Sequence, residues 1–257
     1  MINIIFTMNF QERKKEILKL TEERTSVTVE FLANSLHTSL ITIRRDLSTL
    51  SSDGLIFRTH GGAMKISDTT EPIGYINKTI VNAAAKEYIC RNAAKYIIDG
   101  DTIFLDCGST VSKLCPFIKY RKIKVITNSL PVIQELIKSS VNLVIIGGQV
   151  DKERRAVHGI MALEQVARYQ CNKAFIGVDG ISLIKGLTAN SEKEACITKI
   201  IAGNADEVFL LCDSGKLERD KHFQFASLSS IKYLVTDNDA DKRVLLKYKK
   251  KGIEVIS

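Results

Sequence analysis

Polar residues of the kind that bind anions follow an apolar run in the first half of the chain. Positions 106–110 read Asp-Cys-Gly-Ser-Thr and come directly after the run 102–105, before a predicted helix. Backbone N–H groups at a helix start bind phosphate, and glycine lets a phosphate approach closely, so Gly108, Ser109 and Thr110 predict an anion site. An ordinary strand–helix turn, with Ser109 and Thr110 as helix caps, would have the same sequence. This segment alone therefore leaves both interpretations open.

Similar polar groups follow four other apolar runs of the chain. Parallel α/β sheets bind ligands at the carboxyl ends of their strands, so we expect these groups to converge on one site. Asp179 and Asp213 could instead cap turns or helices, as aspartate does in many loops. The groups are Thr127, Asn128 and Ser129; Gly147 and Gly148; Asp179 and Gly180; and the run from Asp213 to Lys216.

A second set of residues suits contact with DNA. In the predicted third helix, Ile43, Leu47 and Leu50 share one face at about 100° per residue, and the two arginines after Ile43 point away from it. A short helix, a tight turn and a second helix with outward arginines are typical of a helix-turn-helix, which reads base edges in the major groove. A solvated helical bundle with surface salt bridges is the alternative. The predicted DNA contacts are Ser39, Ile41, Thr42, Arg44, Arg45, Ser48 and, in a predicted wing, Arg58 and His60.

The first 65 residues are predicted to form three helices and a pair of short strands. Asn9 followed by Glu12 is a capping signal for the first helix. Thr28 can cap the second helix, whose apolar residues recur at helical spacing, and Gly54 suits the left-handed position after the third. The remaining predicted elements are an extended link at 26–27, a tight turn at 37–38, and strands at 56–58 and 63–65.

From about residue 78 onward, strand-like apolar runs alternate with helical stretches. This alternation, with continuous apolar strands, predicts a mostly parallel α/β sheet covered by helices on both faces. The polar stretch 66–77 is the predicted linker between a DNA-binding domain at 1–65 and an α/β domain at 78–257. Strands are predicted at 102–106, 124–127, 143–146, 174–178, 208–212 and 233–236, and helices at 83–98, 131–138, 160–169 and 193–204.

Composition and charge limit the classes of protein that fit. Hydrophobic residues make up 45% and charged residues 26%, as in ordinary globular proteins, and no run approaches the ~18 apolar residues of a membrane span. The apolar residues 1–10 lack the features of a signal peptide, so a cytoplasmic protein without membrane contact is expected, starting at Met1 or Met8. The net charge is +8, yet residues 1–65 hold nine basic against seven acidic residues. DNA binding would therefore depend on a few well-placed basic residues.

The six cysteines form no C-x-x-C pair, and no histidine stands at metal-ligand spacing beside them. The sequence therefore predicts neither a metal site nor a cofactor, and the expected role of the cysteines is that of small buried hydrophobic residues. Cys107 could report oxidation from within the predicted site, although a small residue that fills the turn is the simpler interpretation. The lysines at 247 and 249–251 could form an interface, an extra DNA contact or a solvated surface.

Several motifs resemble those of a known family. The segment 42–47 reads T-I-R-R-D-L and the segment 58–63 reads R-T-H-G-G-A, as in the DeoR family of bacterial transcriptional regulators. The resemblance implies a winged helix-turn-helix on double-stranded operator DNA, usually as a repressor, although the same architecture could activate. A homo-oligomer, a dimer or tetramer, would present paired wings to repeated half-sites. His37 and Thr38 replace the family's usual Gly-Val, and His37 is expected to need a strained backbone.

The resemblance continues through the second domain. Motifs similar to the family's effector-binding domain are T-N-S at 127–129, I-G-G at 146–148, F-I-G-V-D-G-I at 175–181, G-L-T at 186–188, E-A at 194–195 and D-S-x-K at 213–216. That domain resembles ribose-5-phosphate isomerase, which implies a phosphorylated sugar as effector. By this analogy 108–110 hold the phosphate, Lys216 supplies a positive charge, and Asn128, Asp179 and Glu194 meet hydroxyl groups. The full predicted effector site is Asp106, Gly108, Ser109, Thr110, Thr127, Asn128, Ser129, Gly147, Gly148, Asp179, Gly180, Glu194 and Lys216.

A sugar-phosphate isomerase is the alternative function. Such an enzyme needs an acid or base to move a proton beside a carbonyl. The isomerase pattern D-G-A-D-E reads D-G-I-S-L here at 179–183, and the segment that carries the enzyme's catalytic lysine is not recognisable. The sequence therefore predicts a regulator, released from its operator by a sugar phosphate that it binds without converting, and not an enzyme.

Overall fold

The computed structural model describes residues 8–24, 26–52, 55–59, 61–64, 75, 78–79 and 81–257. The chain divides into two compact units, 1–81 and 82–257. The predicted linker 66–77 falls almost wholly outside the described residues, as do the predicted helix end at Gly54 and the predicted DNA contact His60. The limits expected for the linker therefore stay a prediction.

In the described part of the first unit, three helices each begin at a polar side chain that caps them. The Oδ1 of Asn9 accepts the N–H of Glu12 at 3.1 Å, and the Oε2 of Glu12 accepts the N–H of Asn9 at 2.9 Å. Thr28 accepts a backbone N–H of the second helix and Ser39 one of the third, both at 3.1 Å. The caps predicted at Asn9 and Thr28 are therefore confirmed. The elements are α1 (Phe10–Arg24), β1 (Ser26–Thr28), α2 (Val29–Ser35), α3 (Leu40–Ser52), β2 (Phe57–Thr59) and β3 (Gly62–Met64).

The core of the first unit includes the inner face of α3. Ile43, Leu47 and Leu50 are fully buried, which confirms the face predicted for this helix. In the turn before α3, His37 has a φ of 48°, so the expectation of a strained backbone at this position is also confirmed. The segment predicted as an extended link at 26–27 is a paired strand: β1 lies against β3, and β3 against β2.

A parallel sheet forms the centre of the second unit. Its strands are β4 (Thr102–Leu105), β5 (Lys124–Thr127), β6 (Asn142–Ile145), β9 (Cys171–Ile176), β12 (Ala205–Leu211), β14 (Tyr233–Val235) and β15 (Glu254–Ile256). They lie in the order β15-β14-β12-β9-β4-β5-β6, and each neighbouring pair is parallel. The mostly parallel sheet is therefore confirmed, and β15 is a strand that the sequence did not predict.

Helices cover both faces of this sheet because its strands are apolar on both sides. Phe104 and Ile126 belong to one buried cluster, whereas their neighbours Ile103 and Val125 belong to another. Continuous apolar runs thus encode strands that are buried on both faces. The helices are α4 (Ala83–Ala93), α5 (Cys115–Ile118), α6 (Leu130–Leu136), α7 (Ile160–Val166), α8 (Glu192–Gly203) and α9 (Lys242–Lys250).

Short antiparallel strands, which the sequence did not predict, are added to this core. β7 (Gln149–Asp151) and β8 (Ala156–His158) form a hairpin. β10 (Gly180–Ser182), β11 (Gly186–Ala189) and β13 (Phe223–Ala226) lie side by side as a second small sheet. None of these five strands is a continuous apolar run like those that marked the strands of the parallel sheet.

The basic run near the C-terminus lies on α9. Leu245 and Tyr248 face the core, whereas Lys247, Lys249 and Lys250 are exposed. The lysines therefore form the solvent side of an amphipathic helix. None of the helices in the ranges described above is long and apolar enough to cross a membrane.

Candidate functional site

The loops after β4 and β9 meet where the chain changes direction across the sheet. From β4 the chain runs outward through β5 and β6, and then returns to β9 on the other side of β4. Ligands of parallel sheets bind in the crevice at such a switch point. Gly108 and Gly177 face each other here, since a Cβ added to either would lie 3.6 Å from the Cα of the other. A Cβ at that distance would make an ordinary van der Waals contact, so the two loops lie side by side at these residues.

Asp106, directly after β4, braces these loops from inside. It is 4% exposed. Its Oδ1 accepts the N–H of Cys107 at 2.8 Å, and its Oδ2 accepts the N–H of Gly177 and the hydroxyl of Thr198, both at 3.2 Å. Burial raises the pKa of Asp106, although these hydrogen bonds oppose the shift. Because both carboxylate oxygens accept hydrogen bonds from the protein, Asp106 is a positioning residue for the loop.

Lys86 of α4 brings a positive charge to the loop after β4. Its Nζ donates to the Oγ of Ser109 at 3.3 Å, and the lysine is 3% exposed. The sequence interpretation missed Lys86. The available signal was its place at helical spacing on the apolar face of α4, together with the buried residues Ile89, Cys90 and Ala93. A lysine on such a face is rarely buried without a polar group to meet it.

Thr110 adds a buried hydroxyl to the same loop. The Oγ1 of Thr110 has no hydrogen-bond partner within the described part of the chain, and the residue is 2% exposed. The chain then forms a 3-10 helix (Val111–Leu114) and the short α5, where the sequence predicted an ordinary helix. Since so short a helix has little dipole to offer, attraction for an anion here depends on side chains such as Lys86.

The segment 127–129 after β5 is fully buried, and two of its side chains are used by the fold itself. The Oγ1 of Thr127 donates to a carbonyl of β4 at 2.7 Å, and Ser129 caps α6. The Nδ2 of Asn128 donates to the carbonyl of Val157 at 3.1 Å, while its Oδ1 has no partner among the described residues. Of the three predicted contacts, Asn128 therefore has an acceptor atom left for a ligand.

Lys216 lies in the loop after β12 and points back towards the loop after β9. Its Nζ donates to the carbonyl of Val178 at 2.8 Å and lies 3.8 Å from the Oδ2 of Asp213. Burial alone would lower the pKa of Lys216, but the surrounding carboxylates, Asp213 foremost, outweigh it and raise the pKa. The amine is thus held protonated. Asn82 donates to the other oxygen of Asp213 at 3.1 Å and fixes this pair beside α4.

Three further side chains from distant parts of the chain come together beside Cys107. The Sγ of Cys107, a ring nitrogen of His158 and a carboxylate oxygen of Glu194 lie within 4.8 Å of one another. Burial lowers the pKa of His158, with Asp151 opposing the shift, so the imidazole is favoured in its neutral form. The Nε of Arg154 lies 3.6 Å from Glu194. The sequence interpretation included Glu194 but missed His158 and Arg154, which no motif marks.

The predicted residues Gly147 and Gly148 shape the loop after β6. The N–H of Gly147 donates to the side-chain oxygen of Gln165 at 2.7 Å. Gly148 has a φ of 146°, and a Cβ there would lie 2.7 Å from the carbonyl oxygen of His158. Gly148 therefore allows the β7–β8 hairpin, which carries His158, to pack closely, whereas Gly147 contributes its backbone N–H.

Asp179 and Gly180 follow β9. The Oδ2 of Asp179 accepts the N–H of Asn190, eleven residues further along the chain, at 3.0 Å, while its charge also raises the pKa of Lys216. A Cβ on Gly180 would lie only 2.2 Å from the carbonyl oxygen of Arg219. Gly180 is thus needed for backbone packing, and Asp179 lies near enough to the site to act on Lys216 through its charge.

In the first unit, α3 presents most of the predicted DNA contacts on its outer side. Ile41 is 72% exposed, and Arg44 and Arg45 are exposed as well. The hydroxyls of Ser39 and Thr42 lie 2.9 Å apart and begin the helix. The other predicted DNA contacts among the described residues, Ser48 on α3 and Arg58 on β2, are half-buried.

Comparison with known families matches both units. A family model described as the DeoR C terminal sensor domain matches residues 81–238, and one described as a DeoR-like helix-turn-helix domain matches residues 13–69. The chain is 33% identical over 256 residues to the lactose phosphotransferase system repressor of Staphylococcus epidermidis, covering 97% of this chain and 100% of that one. It is 35% identical over 237 residues to the repressor of the same name from Lactococcus lactis subsp. lactis, covering 90% and 92%.

Among solved structures, the ribose 5-phosphate isomerase A of Methanocaldococcus jannaschii covers 53% of this chain and 55% of its own, with 22% sequence identity and a TM-score of 0.40.

Proposed function

Since the chain belongs to the DeoR family of transcriptional regulators, we propose that it represses sugar-metabolism genes and leaves its operator when a phosphorylated sugar binds. The first unit binds double-stranded DNA, and the second senses the effector. The observation that carries the sensing role is the contact of Lys86 with Ser109 at 3.3 Å, in a buried loop at the switch point of the sheet. A buried ammonium bonded to the hydroxyl of Ser109, in a loop that also holds the buried hydroxyl of Thr110, matches the charge and the acceptor oxygens of a phosphate.

On the DNA side, the outward residues of α3 enter the major groove. Arg44 and Arg45 read base edges, and Thr42 and Ile41 contact bases or thymine methyl groups. Contacts with the sugar–phosphate backbone or the minor groove set the register of the protein on the DNA. They are made by Ser39, Ser48, Arg58 and His60. The exposure of Ile41 and both arginines, together with the buried inward face of the same helix, supports the roles proposed for the α3 residues.

In the effector site, the proposed contacts differ from the residues that position them. Ser109, Thr110 and Gly108 hold the phosphate together with Lys86 and Lys216. Asn128, Asp179 and Glu194 meet hydroxyl groups of the sugar. Six further residues support these contacts through the hydrogen bonds and close approaches described above: Asp106, Thr127, Ser129, Gly147, Gly148 and Gly180.

Regulation requires that the effector bind the DNA-competent and DNA-free states unequally. A coupling of ~1–3 kcal/mol would change operator affinity about 5–150-fold. We place the DNA-binding domain at 1–65, the linker at 66–77 and the sensor domain at 78–257, in a cytoplasmic homo-oligomer, dimer or tetramer, that meets repeated half-sites. The family membership supports a binding protein and not an enzyme.

The proposal is tested on the full-length protein in two steps. A pool of random DNA duplexes first yields the bound sequence, and fluorescence anisotropy then measures its affinity at fixed salt with a panel of sugar phosphates and the matching free sugars. We expect one phosphorylated sugar to weaken operator binding within the range given above, and its free sugar to have no effect. Conversion of that sugar phosphate by the protein would instead support the isomerase, and a protein without sequence-specific DNA binding would contradict the proposal.

A further inference from the structure

The cluster of Cys107, His158 and Glu194 joins three elements that are far apart in the sequence. Cys107 lies in the loop after β4, His158 ends β8, and Glu194 lies in the first turn of α8. Cys107 is 5% exposed and His158 is 3% exposed. The Sγ of Cys107 lies 3.9 Å from the Oε1 of Glu194, and all three donor atoms lie within 4.8 Å of one another. A sulfur, a nitrogen and an oxygen donor thus surround one point.

The ring nitrogens of His158 indicate what kind of group could lie between the three donor atoms. Neither ring nitrogen of His158 has a hydrogen-bond partner within the described ranges, although the residue is almost fully buried. A buried polar atom left without a partner destabilises the folded chain by about 1–3 kcal/mol, so such groups are normally satisfied by protein, water or a bound ion. One of the two nitrogens lies within the cluster and faces the thiol and the carboxylate.

We propose that Cys107, His158 and Glu194 bind a zinc-class divalent metal ion. Thiolate, imidazole and carboxylate are all ligands of Zn²⁺, whereas Mg²⁺ and Ca²⁺ prefer sites made of oxygen atoms. Bonds of about 2.0–2.3 Å to a tetrahedral ion place its ligand atoms about 3.3–3.6 Å apart, so an ion would draw the three donor atoms closer than the 4.8 Å that bounds them here. Three protein ligands leave a fourth position for water or an oxygen of another ligand.

The charges of the proposed ligands match the charge of a divalent metal ion. A thiolate and a carboxylate together neutralise the two positive charges of the metal. Arg154, 3.6 Å from the Oε1 of Glu194, orients that carboxylate as an outer partner, and its own charge disfavours a cation held by charge alone. The short-range spacing rule gave no metal site in this sequence because the three ligands are 51 and 36 residues apart, at 107, 158 and 194.

The test uses full-length protein freed of metal by a chelator, titrated with Co²⁺ and, in competition with a chromophoric chelator, with Zn²⁺. No sugar and no DNA are present, so the result does not depend on the proposed function. We expect one equivalent per chain, a thiolate-to-cobalt charge-transfer band in the near ultraviolet, and visible bands of a tetrahedral ion. The Cys107→Ser chain should lose the charge-transfer band, and His158→Gln and Glu194→Gln should each weaken Zn²⁺ binding by at least about tenfold.

Matched controls are Cys196→Ser and His222→Gln, a partly exposed cysteine and an exposed histidine outside the cluster. Both should keep the bands and the affinity. Thermal unfolding of each metal-free variant separates loss of a ligand from loss of the fold, and Zn²⁺ should raise the Tm of the natural chain but not that of Cys107→Ser. A natural chain without a charge-transfer band, or a Cys107→Ser chain that keeps it, overturns the proposal.

Discussion

The Nε of Arg13 in α1 donates a hydrogen bond of 2.6 Å to the Oδ2 of Asp46 in α3, and its Nη2 lies 3.3 Å from the Oδ1. The two side chains are 14% and 5% exposed. Asp46 follows Arg45 directly but lies on the inner side of α3, so the pair fastens this helix to α1 while the arginines remain outside. A bidentate Arg–carboxylate pair is geometrically specific and suits this positioning role.

Breaking this pair should destabilise the first unit. Arg13→Ala leaves the carboxylate of Asp46 buried without its partner, and removal of one member of a buried ion pair typically costs about 3–5 kcal/mol. Asp46→Ala should have a similar cost, and the double variant should cost less than the sum of both because the partners are lost together. Urea unfolding of the full chain, followed by circular dichroism, measures all three free energies of unfolding.

The exposed pair of Arg91 and Glu87 provides the control, with side chains that are 64% and 57% exposed at 2.9 Å. Surface pairs of this kind contribute about 0–1 kcal/mol, so Arg91→Ala should change the free energy of unfolding by no more than that. An Arg13→Ala chain as stable as Arg91→Ala would contradict the role given to the buried pair.

Arg45→Ala should weaken operator binding and spare the effector site. A bidentate contact from arginine to a base contributes about 1–3 kcal/mol, so the Kd for the operator should rise about 5–150-fold at matched salt. Fluorescence anisotropy measures the Kd, with Arg91→Ala as a variant that loses the same charge outside the first unit. Equal operator affinity for Arg45→Ala and the natural chain would show that the helix is misassigned.

The proposed effector site is tested by removing its positive charges and hydroxyls. Lys86→Met, and the double variant Ser109→Ala with Lys216→Ala, should bind the operator normally but no longer release it when the sugar phosphate is added. Lys95→Met is the control, because Lys95 is exposed just after α4 and its Nζ bonds to Asn92. An undiminished response in the double variant would refute the phosphate site, whereas a loss in Lys95→Met as well would indicate a general effect of charge.

The sequence predicted those features that depend on local periodicity. The buried face of Ile43, Leu47 and Leu50 follows from helical spacing, and the parallel sheet follows from continuous apolar runs alternating with helices. Helix caps at Asn9 and Thr28 were equally local, since the side chain and its partner lie within three residues. These predictions needed no knowledge of what each element packs against.

Features that depend on contacts between distant segments were not predictable in this way. The pairing of β1 with β3 places Val27 opposite Ala63, and no pattern within a three-residue strand predicts its partner. In the sequence, Asp46 was recognised only as part of the motif at 42–47. Its hydrogen bond to Arg13 depends on the packing of α1 against α3, which the motif does not predict. Likewise His158, at the end of the β7–β8 hairpin, meets Cys107 and Glu194 only in the folded chain. Lys86 differs from these residues. The sequence interpretation missed it, but its place among buried apolar residues at helical spacing was a signal that could have predicted it.

The cysteine thiols should differ sharply in reactivity. Burial raises the pKa of Cys171 to about 11 and that of Cys115 to about 12, and it also raises the pKa values of Cys90 and Cys212. Because the thiolate is the reactive form, these four should resist alkylation of the native chain at pH 8, and the partly exposed Cys196 should react first. Mass spectrometry of timed samples identifies the labelled residues, with urea-unfolded protein as the control. Rapid native labelling of the four would contradict their burial.

Gly180→Ala separates a packing role from ligand contact in the effector site. The new Cβ would lie 2.2 Å from the carbonyl oxygen of Arg219 and 3.0 Å from the Oγ1 of Thr188, so the small antiparallel sheet has to shift. We expect a loss of about 1–3 kcal/mol in the free energy of unfolding of the second unit, as for other overpacked sites. Gly203→Ala, at the end of α8 with open space around it, should be neutral or stabilising by up to about 1 kcal/mol. If both variants unfold at the same Tm as the natural chain while Gly180→Ala alone loses the sugar-phosphate response, Gly180 contacts the ligand and the packing role is wrong.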